Sequence, residues 1–481
     1  MKASFNVLNQ GWIPVISNNG KIQLLGIRQI LAHAHELKEI TDPSPLVEFS
    51  LYRFLGLFLM DALRPEDDDE LEEISHSGNF DMNRIEKYIS ICESERVSFD
   101  LFDDASPFLQ SLYDKAIDGE PKSVSVLDCT MPSGNNHTHY NHYKDDIIKP
   151  DKAIRLILTA YWFCTASAQG YPSNVYSVPP FFGVIKGNNL FETLTNLLLP
   201  IDSIPNFDDE PVLWRRVSRV QAKKEIGKIS WLQGMLFPSR RIRLIPNNEG
   251  NVIGVYFSQG ENFVNKDAWK DPYVTYITGK EKVYSFCPES QTPIWHNFYN
   301  IIDTSGKHAS ALLRSYRSLH NTQYVDLTLY GVETSQAKYL RIYRQDFQIP
   351  LKLSEQWIIK LLMKFVETNK QIRKKLEDSI KSIATIPKSA PCGALYFFDK
   401  ESENTFQKLC KELNSGREDA QSMFNEYFAM DFKNALNAFD NLLLTLNLRA
   451  HALADASCKR SILYATIKKL MNKKELNNDE L

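Results

Sequence analysis

Ser354-Glu355-Gln356-Trp357-Ile358-Ile359-Lys360-Leu361-Leu362-Met363-Lys364-Phe365-Val366 is the stretch whose reading decides the architecture. Trp357, Ile358, Leu361, Leu362, Phe365 and Val366 recur at spacings of three and four, the period at which residues share one face of an α-helix. Ser354 stands just ahead of this run as a candidate N-cap, where a hydroxyl accepts from an otherwise orphaned N–H of the first turn. Three more amphipathic stretches follow, at about 400–414, 418–446 and 449–473, and Asn414-Ser415-Gly416 punctuates the first gap. Four such segments joined by short links predict an antiparallel four-helix bundle over residues 351–481.

Upstream of Pro350 the texture differs. From about 211 to 345 the pattern is strand-rich and irregular, with Gly, Asn and Pro at intervals that separate short strands. Near the amino terminus Trp12-Ile13-Pro14-Val15-Ile16 and Lys21-Ile22-Gln23-Leu24-Leu25 read as strands. Asn18-Asn19-Gly20 between them supplies residues that tolerate the positive φ of a tight turn. Helices are expected at 46–63 and 151–168. The first is the longest apolar stretch, yet Glu48, Arg53 and Asp61 inside it would be costly in lipid, so it reads as a buried helix. The acidic run Glu66-Asp67-Asp68-Asp69-Glu70 reads as a solvated loop leading into a helix amino terminus, which favours negative charge. The fold class is therefore α+β: a large mixed α/β amino-terminal domain over 1–350, followed by the carboxy-terminal four-helix bundle.

Composition bounds the function. With 481 residues, 43% apolar and 11% aromatic, the chain can fill sizeable cores. Lys+Arg 56 against Asp+Glu 59 leaves a formal charge of -3, which excludes the global basic excess of proteins that hold nucleic acid alone. Any DNA contact must be local or shared with partners. Seven cysteines are scattered without a CxxC pair and read as reduced, mostly buried thiols. The amino terminus shows no long apolar segment of the signal-peptide kind, so a cytoplasmic protein with no membrane partner is expected.

The sharpest enzymatic candidate is His137-Thr138-His139-Tyr140-Asn141-His142. It lies one residue from the HxHxDH string of metallo-β-lactamase-type hydrolases, and clustered imidazoles bind zinc. Asn141 replaces the carboxylate, however, and is a poor substitute for an anion. The preceding residues are a polar loop rather than an apolar strand. No GxxxxGK[ST], GxSxG, HD or HExxH motif is present, so no catalytic residue, metal or cofactor is assigned. Basic residues cluster at Trp214-Arg215-Arg216, Arg219, Lys223, Lys224 and Lys228, and again at Arg240, Arg241 and Arg243. Such a set reads either as a phosphate-neutralising patch or as a solvated face.

Landmarks along the chain resemble, in order, the CasA-type large subunits of type I-E CRISPR Cascade. They begin with Phe5-Asn6-Val7-Leu8-Asn9-Gln10-Gly11-Trp12-Ile13-Pro14-Val15 and continue through Ser106-Pro107-Phe108-Leu109-Gln110 and the loop Gly134–His142. Phe182-Gly183-Val184-Ile185-Lys186, Trp231-Leu232-Gln233-Gly234 and Tyr330-Gly331-Val332-Glu333-Thr334-Ser335-Gln336-Ala337 complete the series. The resemblance implies a non-catalytic subunit that reads the protospacer-adjacent motif of double-stranded target DNA, holds the strands apart while CRISPR RNA pairs, and receives a helicase-nuclease. Its other partners would be the remaining Cascade subunits. On this resemblance Gln336, flanked by Ser335 and Ala337, is the strand wedge. Gly170, Gln169 and Lys266 are minor-groove contacts, with Tyr171 and Asn174 as further candidates beside a glycine loop here reduced to one glycine. His139, Tyr140 and Asn141 form the loop facing CRISPR RNA and the neighbouring backbone subunit. Arg215, Arg216, Arg240, Arg241 and Arg243 become non-specific DNA contacts.

Overall fold

The computed structural model describes residues 3–131, 147–165, 171–207, 210–216, 220–279, 282–289, 292–304, 308–335, 338–383, 386–387, 389–446 and 448–473, with the side chains of 338 and 471–473 left aside. The chain divides into two compact units, Met1–Ser290 with Ala309–Gln348, and Gln291–His308 with Ile349–Leu481.

In the first unit the strands Ile13–Ser17 and Ile22–Leu25 pair antiparallel, from Ile13 opposite Leu25 to Ile16 opposite Ile22, and Gly20 takes the turn at φ +81°. Leu37–Ile40 adds a third strand on the far side of Ile13–Ser17. A second sheet has the order Lys338–Pro350, Tyr324–Ser335, Phe182–Lys186, in which Tyr330 stands opposite Phe182 and Asp326 opposite Lys186. Arg240–Pro246 and Val252–Gln259 form an antiparallel hairpin. Asp67 caps the helix Asp68–His76 by accepting from the Glu70 N–H, as the acidic run implied.

The helix Pro45–Leu63 is buried along nearly its whole length. Each of its three charges meets partners from distant segments, because an unpaired ion in the interior is prohibitively costly. Glu48 accepts from the Tyr330 hydroxyl at 2.5 Å and from Arg344 at 3.3 Å, and Asp61 from the Tyr88 hydroxyl at 2.7 Å. Arg53 is fully buried and pairs with Asp271 at 2.6 Å. The rings of Phe49, Trp162, Phe182 and Tyr273 surround its guanidinium at 5.3 to 6.0 Å. Among the described residues no helix is long and apolar enough to cross a membrane.

In the second unit four helices, Gln356–Lys381, Ala390–Asn414, Ala420–Thr445 and Ala450–Lys473, form the bundle. Arg373 pairs with Asp399 while Phe365 meets Phe406, so the first two run antiparallel. Asp440 with Arg460, and Phe432 with Tyr464, set the last two likewise. Gly416, at φ +94°, turns the chain after the second helix. Two sequence expectations shift. Ser354 is not the cap: its hydroxyl donates back to the Leu351 carbonyl, and the helix starts after Glu355. The segment Gln291–His308, placed by the sequence in the 1–350 domain, belongs with the bundle because Trp295 and Phe298 pack on Phe406 at 4.9 and 5.6 Å.

The bundle interior holds a polar chain. His296 Nε2 donates to Asn369 Oδ1 at 2.9 Å, Asn369 Nδ2 donates to Asp431 Oδ2 at 2.8 Å, and the Ser402 hydroxyl donates to the other Asp431 oxygen. All four residues are buried. Burial pushes the Asp431 carboxyl up to about 6 despite these donors, and pushes His296 down to about 3.

These buried charges have measurable consequences. Arg53→Met strands the Asp271 carboxylate and should lower the unfolding free energy by about 3 kcal/mol in denaturant titrations; a loss below about 1 kcal/mol would show the pair to be dispensable. Because the folded-state proton on Asp431 is held above its ordinary value, the stability it contributes is complete below about pH 4 and is lost as pH rises through 6. His296 acts oppositely, its contribution being lost as pH falls below about 6.5. Asp431→Asn should therefore gain on the parent protein between pH 4 and pH 7 by on the order of 2 kcal/mol; a pH-independent difference between the two would contradict this.

Candidate nucleic-acid interface

The helix Pro150–Phe163 begins on Pro150, whose missing N–H would have been unpaired in a first turn anyway. It stops at Phe163, short of the expected 168, where Cys164 turns to φ -58° and ψ 124°. The last carbonyls of a helix have no partner within it and carry its negative dipole end. Side chains from separate segments supply the donors here. Asn174 Nδ2 donates to the Tyr161 carbonyl, and the Tyr339 hydroxyl donates to the Phe163 carbonyl at 2.5 Å. Just beyond the helix, Arg240 Nη2 donates to the Thr165 carbonyl at 2.8 Å and Nη1 to the Pro172 carbonyl at 2.7 Å. One guanidinium thus clamps the chain on both sides of 166–170.

Tyr171 packs beneath that guanidinium, 5.0 Å from ring centre to Arg240 Cζ, and Lys122 lies 5.5 Å away over the same ring. Lys122 Nζ also donates to the Tyr171 hydroxyl at 2.8 Å. Lys266 Nζ donates to the Asn174 carbonyl, and desolvation pulls the Lys266 ammonium down to about 8. The Cys129 thiol and the Thr165 hydroxyl lie near the Tyr339 hydroxyl, and burial pushes both Tyr339 and Cys129 well above their ordinary ranges. The described residues that border 132–146, 166–170 and 336–337 therefore meet at one helix end.

Of the site residues expected from sequence, Gln336, Ala337, Gln169, Gly170, His139, Tyr140 and Asn141 lie outside the described residues, as do His137 and His142. Ser335 is exposed at the end of its strand. Lys266 is brought beside the segment that follows 166–170. Asn174 is buried and engaged with backbone, so it is not a groove contact.

The arginines require a correction. Arg216 makes a bidentate pair with the fully buried Glu261, both bonds at 3.0 Å, and Arg241 makes one with Asp118, both at 2.9 Å. Arg215 spans Glu95 and Asp61, and Arg243 donates to the Asp103 carbonyl at 3.1 Å. Arg240 is buried on the carbonyls named above. A desolvated guanidinium whose N–H groups already meet carboxylates or carbonyls of its own chain has little to offer a phosphate. Arg215, Arg216, Arg240 and Arg241 hold the fold rather than form a phosphate-binding patch, whereas Arg243 is half-buried with one bond to a backbone carbonyl. Lys223, Lys224 and Lys228 of the same basic stretch are exposed.

Residues 6–439 match the family described as CRISPR-associated protein Cse1. This chain belongs to that family. It is 25% identical over 368 residues to the CRISPR-associated protein CasA/Cse1 of Thermus thermophilus, an alignment covering 72% of this chain and 71% of that protein. Its fold is similar to the crystal structure of Thermobifida fusca Cse1, with a TM-score of 0.80 at 18% identity over 97% of this chain and 98% of the other. It is also similar to a chain from a structure of a CRISPR RNA-guided surveillance complex, with a TM-score of 0.78 at 17% identity over 96% and 100% of the respective chains.

Within this Cse1-family chain, sequence reading missed Tyr339, Cys129, Thr165 and Lys122 and gave Arg240 the wrong task. A signal for Tyr339 existed: an aromatic residue with a hydroxyl just beyond the expected wedge. Nothing in the sequence placed it against Phe163. The corrected roles are testable on the isolated protein. Arg241→Ala leaves the Asp118 carboxylate without its guanidinium and should cost about 3 kcal/mol of unfolding free energy, whereas Lys224→Ala, on the surface, should change it by less than about 0.5 kcal/mol. Similar small effects for both would restore Arg241 to the solvent-facing set.

Proposed function

We propose that this chain is the non-catalytic large subunit of a CRISPR RNA-guided surveillance complex of the Cascade type. In this reading it recognises the protospacer-adjacent motif in double-stranded DNA, promotes strand opening and R-loop formation, and recruits a helicase-nuclease that cuts. The observation that carries the reading is the meeting, at the end of the helix Pro150–Phe163, of the residues bordering three segments. These are the segments to which the family resemblance gives the RNA-facing, motif-reading and strand-parting tasks. Membership in the Cse1 family and the likeness of fold to a chain of a surveillance complex support it. Its partners are then the other subunits, the CRISPR RNA, target duplex and the nuclease, and the unit of Met1–Ser290 with Ala309–Gln348 carries motif recognition and docking.

Each task has a physical basis. Gln336 at the tip, with Ser335 and Ala337 shaping it, wedges the first base pair by offering a compact group where stacking is lost. Gly170 lets backbone approach the minor groove because it has no Cβ, with Gln169 beside it. Lys266 supplies positive charge next to that backbone, and a phosphate or a groove acceptor would favour its charged form. Asn141, with His139 and Tyr140, offers both donors and acceptors to RNA.

Gln336→Ala in the assembled complex should slow opening of duplex DNA while leaving binding to DNA already unpaired beside the motif unchanged; equal losses on both substrates would remove the wedge role. The lowered Lys266 titration adds a pH test. The free protein loses this charge as pH rises through about 8, so affinity for motif-bearing duplex should fall across that range. Lys266→Arg, charged throughout, should flatten the fall. Parallel pH profiles for the two proteins would show that Lys266 does not meet the DNA.

A further inference from the structure

Between the segment Ser106-Pro107-Phe108-Leu109-Gln110-Ser111 and the short helical turn Leu213–Arg215 lies a cavity of about 250 Å³, partly open to solvent. Its walls are pinned. Leu109 takes φ +56°, and the turn it makes is held from several sides. The Gln110 N–H donates to the Pro107 carbonyl at 3.1 Å, the Gln110 side chain spans the Leu101 carbonyl and the Leu244 N–H at 2.8 Å each, and the Tyr161 hydroxyl donates to the Leu109 carbonyl at 2.9 Å. Opposite, Trp214 Nε1 donates to the Tyr88 hydroxyl at 2.9 Å, and its ring centre lies 6.2 Å from that of Phe108. A cavity between walls so fixed is formed before a ligand arrives, which spares the cost of ordering it. Two polar atoms on residues of the lining have no hydrogen-bond partner among the described residues. They are Ser111 Oγ, on a residue 4% exposed, and Arg216 Nε, on a side chain 7% exposed. Glu261 occupies the other nitrogens of that guanidinium, so the orphan is a single N–H. Buried polar atoms are paired in native proteins by protein, water or ligand, and two orphans on one cavity call for a common partner.

We propose that this cavity binds a small, uncharged, planar molecule with a carbonyl oxygen on its edge: a cyclic amide of nucleobase size. Volume sets the size. An apolar cavity of about 150 Å³ holds benzene, and drug-sized ligands occupy on the order of 300 Å³ or more. The space here, about 250 Å³, therefore takes one or two rings with polar substituents and is too small for a dinucleotide cofactor. Charge sets the neutrality. Glu261 already cancels the charge of Arg216, and at the rim the Asp103 carboxylate accepts from the Ala105 and Ser106 N–H groups at 2.9 and 2.7 Å, where it would oppose an anion. A neutral carbonyl meets no such opposition and accepts from the Arg216 Nε–H. The Ser111 hydroxyl both donates and accepts, so it pairs with a second carbonyl or with a ring N–H. Phe108 and Trp214, with Leu213 and Val220, offer a flat molecule its apolar contacts. The proposal is independent of the DNA-handling reading above.

Uracil is the probe, titrated against the free chain and followed through the ligand's own NMR signals, with benzene and benzoate as apolar and anionic rings of similar size. Uracil should bind saturably and about fivefold more tightly than either control. Ser111→Ala should weaken uracil about fivefold and leave benzene unchanged. Ala105→Trp, on the exposed rim, should fill the mouth and abolish uracil binding while its thermal melt matches the parent's. Absence of saturable uracil binding would mean that water alone meets the two orphan atoms, and would overturn the proposal. Benzoate bound as tightly as uracil, or uracil affinity unchanged in both variants, would overturn it as well. If Ser111→Ala melts early, Ala105→Trp carries the comparison. A uridine dinucleotide added in competition separates the two sources of such a ring. Displacement of uracil assigns the cavity to an unpaired base of a strand, uracil binding without displacement assigns it to a free small molecule, and either result upholds the cyclic-amide site.

Discussion

Carbonyl oxygens at the end of a helix must find donors from somewhere, and at the end of Pro150–Phe163 water cannot supply them all. Tyr161, Phe163 and Thr165 are answered by Asn174, Tyr339 and Arg240, three side chains from three separate segments. This requirement organises the functional end of the first unit. Because the donors come from the segment after 166–170, from the long hairpin and from the Arg240–Pro246 strand, satisfying the helix end draws those segments together. The dipole of the helix adds to the pull on the Arg240 guanidinium.

Buried charge is the second organising constraint, and it runs in pairs. Arg53 with Asp271, Arg216 with Glu261 and Arg241 with Asp118 join residues far apart in the chain. Each such pair contributes little net stability over an apolar substitute, but breaking one is costly, so each fixes which segments lie together. Arg53 and Arg241 are buried and each is matched by a carboxylate, whereas the buried Arg240 is held by backbone carbonyls. Positive charge available to a partner is left to lysines such as Lys223 and Lys224, which are exposed, and to Lys266, which is half-buried beside a carbonyl.

The bundle meets the same constraint in a different medium. Its faces are apolar at helical period, yet Asp431, Asn369, Ser402 and His296 link three helices and the segment Gln291–His308 through its interior. Apolar contacts alone are non-directional and allow helices to slide. A chain of hydrogen bonds in a dry interior admits one register, which gives the bundle a specific rather than merely compact packing.

The sequence by itself determined the local and the periodic. The bundle helices were legible from apolar spacing, the first hairpin from Asn18-Asn19-Gly20, the capped helix from its acidic run, and the buried nature of Pro45–Leu63 from three charges within an apolar stretch. The order of landmarks was enough to place the family. Only the tertiary structure decided which charges meet. Arg240, Arg241 and Arg243 alternate in a strand with the rhythm of a phosphate-binding edge, but the counter-charges that claim Arg241 and Arg216 come from Asp118 and Glu261, and the carbonyls that claim Arg240 lie at a helix end some 70 residues earlier. Local propensity is written in neighbouring residues; pairing in the interior depends on contacts between residues that the chain separates and the fold reunites.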